Sequence, residues 1–125
     1  MTVVYDAGAL VAAQRSNRRL WADHRARREL GLVPLTTAPV VSQVSRTAQQ
    51  VQLRRFLRGC EVVAFAATEA HEVGALARAS GVADVVDVHV VLVACRAGAS
   101  VLTSDHHALS RVASTLPEPV ALIRV

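Results

Sequence analysis

The feature that most constrains this chain is a long apolar run between residues 82 and 107 that has carboxylates at both ends. Asp84 and Asp87 lie at the start of the run and Asp105 lies just after it, while Asp6 follows the first apolar run of the chain. A hydrophobic core does not need carboxylates at these points, and a buried carboxyl group protonates rather than staying ionised alone. These four acids are therefore candidates for a shared function.

Short β-branched runs alternate with stretches of helical spacing along the sequence. The β-branched runs predict strands at residues 2–5, 33–35, 61–65, 99–102 and 120–123. Apolar spacing and capping residues predict helices at residues 7–14, 16–30, 39–57 with a bend before 52, 68–80, 85–95 and 108–116. The valines of segment 85–95 favour a strand, but its length and the capping pattern of Asp84 and Asp87 favour a helix that is apolar nearly all round.

Alternating strands and helices predict an α/β fold in which a parallel sheet carries helices on both faces. The 125 residues suit one compact domain, 1–125, and a hydrophobic content of 52% is enough for an ordinary core. No apolar run is long enough to span a bilayer, and the N-terminal segment MTVVYDAGAL lacks a basic region typical of a secretory signal. We therefore expect a cytoplasmic protein that does not enter the membrane.

The charge of the chain limits what it can bind and catalyse. The formal net charge is +4, and all 14 basic residues counted as Lys or Arg are arginines. The absence of lysine excludes a Walker-type phosphate site, a Schiff base and a phospho-receiver domain that depends on a lysine. A basic domain favours nucleic acid or an acidic protein segment as its partner, and an aromatic content of 3% is too low for base-stacking platforms.

The predicted second helix and the residues before it carry the densest basic patch of the chain. Its candidate RNA- or partner-binding residues are Arg15, Arg18, Arg19, Trp21, Arg25 and Arg28. The arginines are either a solvated helix face or a surface for RNA phosphates or an acidic partner. Trp21 is either part of the core or an anchor for a partner.

The four acids are expected to meet at one place. Asp6 and Asp105 each follow a predicted strand and so lie at the same edge of a parallel sheet, and Asp84 and Asp87 share one side of a helix start. A divalent cation such as Mg²⁺ or Mn²⁺ prefers oxygen ligands and relieves repulsion between carboxylates. In a basic domain without lysine, this pattern indicates metal-assisted hydrolysis of a phosphodiester. Taken alone, Asp6, Asp84 and Asp105 could instead cap helices, and Asp87 could be an acid that interacts favourably with the helix dipole.

Four segments, in their order along the chain, resemble the PIN-domain ribonucleases of the VapC toxin type. They are YDAGALVA at 5–12, PVVSQVSR at 39–46, DVVDVHVVLVA at 84–94 and VLTSDHHAL at 101–109. The resemblance implies a three-layer α/β/α sandwich with a mainly parallel central sheet, and endonucleolytic cleavage of RNA with Mg²⁺ or Mn²⁺. It also implies a homodimer that is inhibited by a cognate VapB-type antitoxin, for which we take the arginine-rich helix and Trp21 as a hypothetical binding surface.

Carried onto this chain, the resemblance implies metal ligands at Asp6, Asp87 and Asp105. Asp84 supports them, and Thr103 and Ser104 line the site as hydroxyl donors. Many family members have Glu where this chain has Gln43, whose amide oxygen can still ligate a metal ion or its water but adds no charge. The alternative is therefore a degenerate PIN fold that binds RNA or a partner without cleaving.

Overall fold

A single parallel sheet organises residues 2–125, which are the residues that the computed structural model of the protein describes. Its strands are β1 (Val3–Tyr5), β2 (Leu35–Thr37), β3 (Glu61–Val63), β4 (Ser100–Thr103) and β5 (Leu122–Arg124). Their order across the sheet is β3-β2-β1-β4-β5, and every pair is parallel. The parallel sheet predicted from the alternation of strands and helices is confirmed.

Two layers of helices cover the sheet. The helices are α1 (Ala7–Gln14), α2 (Arg18–Glu29), α3 (Ala38–Val44), α4 (Val51–Leu57), α5 (Ala70–Ser80), α6 (Val85–Ala97) and α7 (His106–Ala113), with a 3₁₀ turn at Ala67–Glu69. Helices α2, α3 and α4 pack against α1, whereas α5 and α7 pack against α6. Both α1 and α6 contact β1 and β4, so the central strands lie between the two layers.

Helix α6 is the buried centre of its layer, as the sequence predicts. Every residue from Val88 to Ala94 is buried, because the helix touches the sheet on one side and α5 and α7 on the others. Asp84 caps its N-terminus by accepting a hydrogen bond from the Val86 amide at 2.9 Å. Gly98 ends it with a φ of +62°, a left-handed conformation that glycine adopts without strain.

The second strand begins later than residues 33–35, where the sequence predicts it. It covers Leu35–Thr37 and buries two threonines completely. Thr36 is accommodated because its hydroxyl donates a 2.8 Å hydrogen bond to the Tyr5 carbonyl on the neighbouring strand. The predicted position of the strand was wrong because a threonine whose hydroxyl bonds to a neighbouring strand can be buried in a sheet as readily as valine.

The predicted helix over 39–57 is two helices, and Ala48 lies in the loop between them. The Gln50 side chain accepts hydrogen bonds from the amides of Arg46 and Thr47 and donates one to the Val44 carbonyl. These bonds replace those that a continuous helix would make, so α3 ends at Val44 and α4 begins at Val51.

Three further boundaries differ from the prediction. Helix α5 begins at Ala70 rather than at residue 68, because the Glu69 carboxylate accepts the Ala66 amide at 2.9 Å and starts the 3₁₀ turn that precedes the helix. Helix α7 begins at His106 because Asp105 caps it, and β5 pairs with β4 over Leu122–Arg124. Within residues 2–125, no helix combines the length and the apolar character needed to cross a bilayer.

Candidate functional site

Asp6 is held where β1 ends and α1 begins, between the two central strands. Its amide donates to the Leu102 carbonyl at 3.0 Å, and its own carbonyl accepts the amides of Ala9 and Leu10 in the first turn of α1. The residue is 5% exposed. One carboxylate oxygen accepts a 2.8 Å hydrogen bond from the Thr103 hydroxyl, so both its backbone and its side chain are fixed.

Thr103 connects Asp6 to Asp105. Its side chain is fully buried at the end of β4, and its hydroxyl oxygen also accepts the Asp105 amide at 2.9 Å. The Asp105 carboxylate in turn accepts the Ala108 amide at 3.3 Å and caps α7. Asp6 and Asp105 thus both lie at the carboxyl edge of the sheet, where the strands have their C-terminal ends, and the Asp6 carboxylate and the Asp105 amide bond to the same hydroxyl group.

Asp87 lies in the other helical layer, close enough to Asp6 and Asp105 for their charges to affect its pKa. It lies half-buried in the first turn of α6, which packs against β1 and β4. Burial raises its pKa to about 6, and the negative charges of Asp84, Asp6 and Asp105 contribute to this rise in that order. Helix α6 thus brings two acids, one half-buried and one exposed, close enough to the strand ends to repel the acids there.

The pKa of Asp6 is also raised above its ordinary value, with burial as the largest cause. The Ala7 amide and the Thr103 hydroxyl lower this pKa because they donate to the charged form, while Asp105 and Asp84 raise it. The charges of Asp84 and Asp105 thus raise the pKa of both Asp6 and Asp87, across elements that are far apart in sequence. We call Asp6, Asp84, Asp87 and Asp105 the acidic set.

The acidic set is not neutralised by any arginine. In residues 2–125, every ion pair involves Glu69 or Glu72, which bind Arg96 and His89 at the contact of α5 with α6. Glu69 and Glu72 thus belong to a separate ion-pair cluster. Oxygen ligands without counter-charges suit a hard divalent cation such as Mg²⁺ or Mn²⁺.

The acids do not form a closed cage. Within the part of the chain that the structure describes, no three His, Cys, Asp or Glu side chains surround a point where a metal ion could bind. Mg²⁺ commonly binds through one or two carboxylates and keeps several waters, so an open arrangement fits this ion better than a site that needs four protein ligands. The residues present thus fit a hydrated divalent cation, and the ligand set Asp6, Asp87 and Asp105 stays a prediction.

Ser104 packs directly against the start of α1, a feature that sequence reasoning did not identify. A Cβ atom added at Gly8 would overlap the Ser104 hydroxyl oxygen and lie 2.8 Å from its Cβ. The signal in the sequence was glycine within a predicted helix, where alanine is favoured unless another chain segment approaches closely. This contact fixes the loop between Thr103 and Asp105.

Gln43 lies on the exposed side of α3, in a groove beside α1. The residues around it there include Val11, Arg15 and Arg46. Its supporting role in metal binding stays a prediction. Val11 and Arg46, which share the groove, were not identified from the sequence as functional candidates.

Most arginines of α2 and of the residues just before it are exposed to solvent. The exposed arginines are Arg15, Arg18, Arg19, Arg25 and Arg28. Trp21 is half-buried, donates a 3.0 Å hydrogen bond to the Ala13 carbonyl and meets the Phe56 ring edge-on at 5.1 Å. Trp21 is therefore packed against the core, and a role in partner binding stays a prediction.

Two solved structures have the same fold over the full length of this chain. One is PAE2754 from Pyrobaculum aerophilum, with a TM-score of 0.69, 19% identity, and coverage of 100% of this chain and 92% of that chain. The other is VapBC2 from Rickettsia felis, solved bound to a DNA fragment from their promoter, with a TM-score of 0.73, 16% identity, and coverage of 100% and 99%. No family model and no curated protein matches the sequence. The structural likeness shows that this chain adopts a PIN-like α/β/α fold, as its resemblance to VapC-type proteins implies.

Proposed function

We propose that this protein is a metal-dependent endoribonuclease that acts as the toxin of a VapBC-type toxin–antitoxin pair. The observation that carries the proposal is the acidic set, in which four carboxylates share one environment without an arginine to neutralise them. Retaining such repulsion lowers stability and is typical of functional sites. The structural likeness to VapBC2 supports the toxin–antitoxin assignment.

Asp6, Asp87 and Asp105 would hold Mg²⁺ or Mn²⁺, directly or through water. When bound, such an ion activates a water molecule and stabilises the charge on a phosphate undergoing hydrolysis. Thr103 orients the Asp6 carboxylate by its hydrogen bond, so that this carboxylate is held in one fixed direction. Asp84 caps α6 and adds negative charge, while the exposed Ser104 offers a hydroxyl group to a phosphate oxygen.

RNA is the substrate class that the remaining surface favours. The exposed arginines of α2 and Arg15 attract phosphates, and the net charge of +4 attracts a polyanion from a distance. We further propose that the protein acts in the cytoplasm as a homodimer bound by a VapB-type antitoxin.

The antitoxin surface is proposed to include α2. Substituting Trp21 with Ala is a poor probe on its own, because the indole also packs against Phe56 and bonds to Ala13. Arg18→Glu and Arg19→Glu change exposed side chains of the same helix and test the surface without opening the core. Antitoxin affinity that is unchanged in both variants would remove α2 from the proposed interface.

A cleavage assay on the whole chain tests the nuclease proposal. We expect RNA to be cut in the presence of Mn²⁺ or Mg²⁺ and not in EDTA, and we expect Asp6→Asn and Asp87→Asn each to reduce cleavage at least about a hundredfold. Glu118→Gln, which alters an exposed acid outside the acidic set, serves as the control. Equal cleavage by wild type and Asp6→Asn would reject the proposal.

A binding protein without nuclease activity is the second candidate. Gln43 in place of the family's Glu and the open arrangement of the acids favour it. This candidate predicts RNA binding that needs no metal, with no cleavage at any Mn²⁺ concentration. Expression in a bacterial host separates the two as well, since a nuclease toxin arrests growth and Asp6→Asn restores it.

A further inference from the structure

A groove runs beside α1. It has a volume of about 250 Å³ and is formed by α1, α3, α4 and the loop between the last two. We call it the α1 groove, and the lining residues that matter here are Leu10, Val11, Arg15, Gln43, Arg46 and Gln50. Its floor is apolar and its rim is polar or basic.

The α1 groove adjoins a second hollow along the surface of α1. Val11, which is 37% exposed, also lines a second hollow that contains Gly8 and Ser104. Gly8 and Val11 are three positions apart on the helix, a rise of about 5 Å. Ser104 lies between Thr103 and Asp105, so the second hollow borders the loop that carries one member of the acidic set.

Gln43 differs from the other two glutamines that line the groove in its hydrogen bonding. Gln14 accepts the Leu53 amide at 2.9 Å, and Gln50 uses its oxygen for Arg46 and Thr47 as described above. The Gln43 side chain, by contrast, makes no hydrogen bond to any residue in the range 2–125. Its donor and its acceptor are both available to a ligand.

The basic residues of the rim are also free of acidic partners. Arg15 and Arg46 are both exposed, and neither forms an ion pair within residues 2–125. Arg46 donates one bond to the Ser45 carbonyl, which leaves most of its guanidinium donors unused. A phosphodiester chain complements such a rim, because each phosphate offers several acceptor oxygens.

From these observations, and resting on the ribonuclease function proposed above, we infer that the α1 groove is a nucleotide subsite beside the scissile phosphate. Val11 contacts the base, Arg15 and Arg46 hold its flanking phosphates, and the amide of Gln43 pairs with the base edge. A glutamine amide matches the adjacent donor and acceptor of adenine, whose edges are accessible in single-stranded RNA. Gln43 is thus a specificity-determining residue for adenine.

Binding of short homopolymers in EDTA tests the subsite independently of cleavage. The probes are fluorescent 2′-O-methyl tetranucleotides of A, C, G and U, measured by anisotropy with the full chain. We expect the A probe to bind at least about fivefold more tightly than the others, and Gln43→Ala to abolish this preference. Gln49→Ala removes an exposed glutamine outside the groove and should retain it.

A second variant reverses the expected preference. Gln43→Glu retains an acceptor but loses the donor, and a carboxylate pairs with the amino group of cytosine. We therefore expect the order of the A and C probes to invert in this variant. An unchanged preference for adenine in Gln43→Ala would overturn the inference, as would equal binding of all four probes by wild type.

The proposed phosphate contacts can be tested separately by measuring how affinity depends on salt concentration. Arg15→Ala and Arg46→Ala should weaken all four probes alike, and each should reduce the slope of log affinity against log salt by about 0.7, because one phosphate is no longer neutralised. Arg78→Ala, on exposed α5 surface in the other helical layer, should leave the slope unchanged. A slope in both rim variants equal to that of wild type would contradict phosphate binding in the groove.

The outcomes also separate this inference from the nuclease proposal. Metal-dependent cleavage that requires Asp6, together with the same base preference in wild type and Gln43→Ala, rejects the subsite and leaves the nuclease in place. Mn²⁺ affinity that falls in Gln43→Ala without a change in base preference makes Gln43 a metal-supporting residue and likewise rejects the subsite. If wild type prefers adenine, Gln43→Ala loses that preference and wild type never cleaves RNA, the groove is a base-binding subsite and the nuclease proposal is rejected.

Discussion

The Thr103 hydroxyl donates a 2.8 Å hydrogen bond to the Asp6 carboxylate across 97 residues of sequence. Because the same oxygen accepts the Asp105 amide, one buried side chain orients two members of the acidic set. The position of both acids therefore depends on a residue that carries no charge.

Replacing Thr103 with Val retains the shape of the side chain and removes both hydrogen bonds. We expect Mn²⁺ affinity to fall about 10- to 100-fold, as is typical when a group that orients a metal ligand is removed, and the free energy of unfolding to fall by about 1–3 kcal/mol. Calorimetric titration and urea unfolding measure the two effects. Thr103→Ser retains the hydroxyl and is the control; a Thr103→Val protein with wild-type Mn²⁺ affinity would show that Asp6 needs no such orientation.

Asp87→Asn is expected to stabilise the metal-free protein. The folded-state pKa of Asp87 is about 6, above the ordinary value of 3.8, so between these values the native state binds more protons than the unfolded state. The contribution of this group to stability is therefore present at low pH and is lost as pH rises towards 6 and above. At pH 7 without metal, the variant should be more stable than wild type by about 1–2 kcal/mol.

Thermal unfolding in EDTA and in Mg²⁺ measures this effect. Saturating Mg²⁺ should raise the unfolding temperature of wild type and have little effect on Asp87→Asn, because a ligand stabilises only the state that binds it. Glu118→Gln is the control, because it removes the charge of one exposed acid outside the acidic set. A metal-free Asp87→Asn protein that is less stable than wild type at pH 7 would contradict the repulsion described for the acidic set.

His24 is expected to make the protein sensitive to mild acid. Burial, followed by the nearby charges of Arg28 and Arg27, lowers its pKa to about 4. The neutral ring stacks on Phe56 at 4.0 Å, and its Nδ1 lies 2.9 Å from the Tyr5 hydroxyl. The unfolded state then binds more protons between the ordinary pKa of 6.5 and about 4, so the free energy of unfolding should fall as pH falls through this window.

Asp87 and His24 change stability with pH in opposite directions. The Asp87→Asn background removes the contribution of Asp87, so that the pH dependence due to His24 can be measured. In this background, urea unfolding between about pH 4 and 7 should show the acid-side decline, and His24→Phe should flatten it. The His24→Phe protein should also be less stable at every pH, because the Tyr5 hydroxyl loses its partner. A decline of the same steepness with and without His24 would assign the acid sensitivity to another group.

Gly8→Ala should destabilise the protein, although alanine favours a helix by about 0.5–1 kcal/mol over glycine. The new methyl group would overlap Ser104 and displace the loop that holds Asp105. We expect a lower unfolding temperature and weaker Mn²⁺ binding, both measured on the purified variant. Ser104→Gly in the same chain should restore part of the loss, whereas Gly74→Ala, with open space around its position, is the control for helix propensity.

Local features of the sequence were sufficient to predict much of the fold. The helix over Ala7–Gln14 and the cap at Asp84 were identified because each depends on residues within a few positions of one another. The parallel sheet followed from the alternation of element types. The four acids were identified because carboxylates at the ends of strands and helices are recognisable without knowing what lies opposite them.

The tertiary structure decided which polar groups meet, and the sequence alone could not. Thr36 belongs to a strand because Tyr5 offers it a carbonyl, and the break after Val44 exists because Gln50 folds back onto it. The groove that contains Gln43, like the raised pKa of Asp87, arises between elements distant along the chain. Capping and periodicity act over one or two helical turns, whereas burial and electrostatic repulsion depend on packing across the whole sheet, so only the folded chain fixes them.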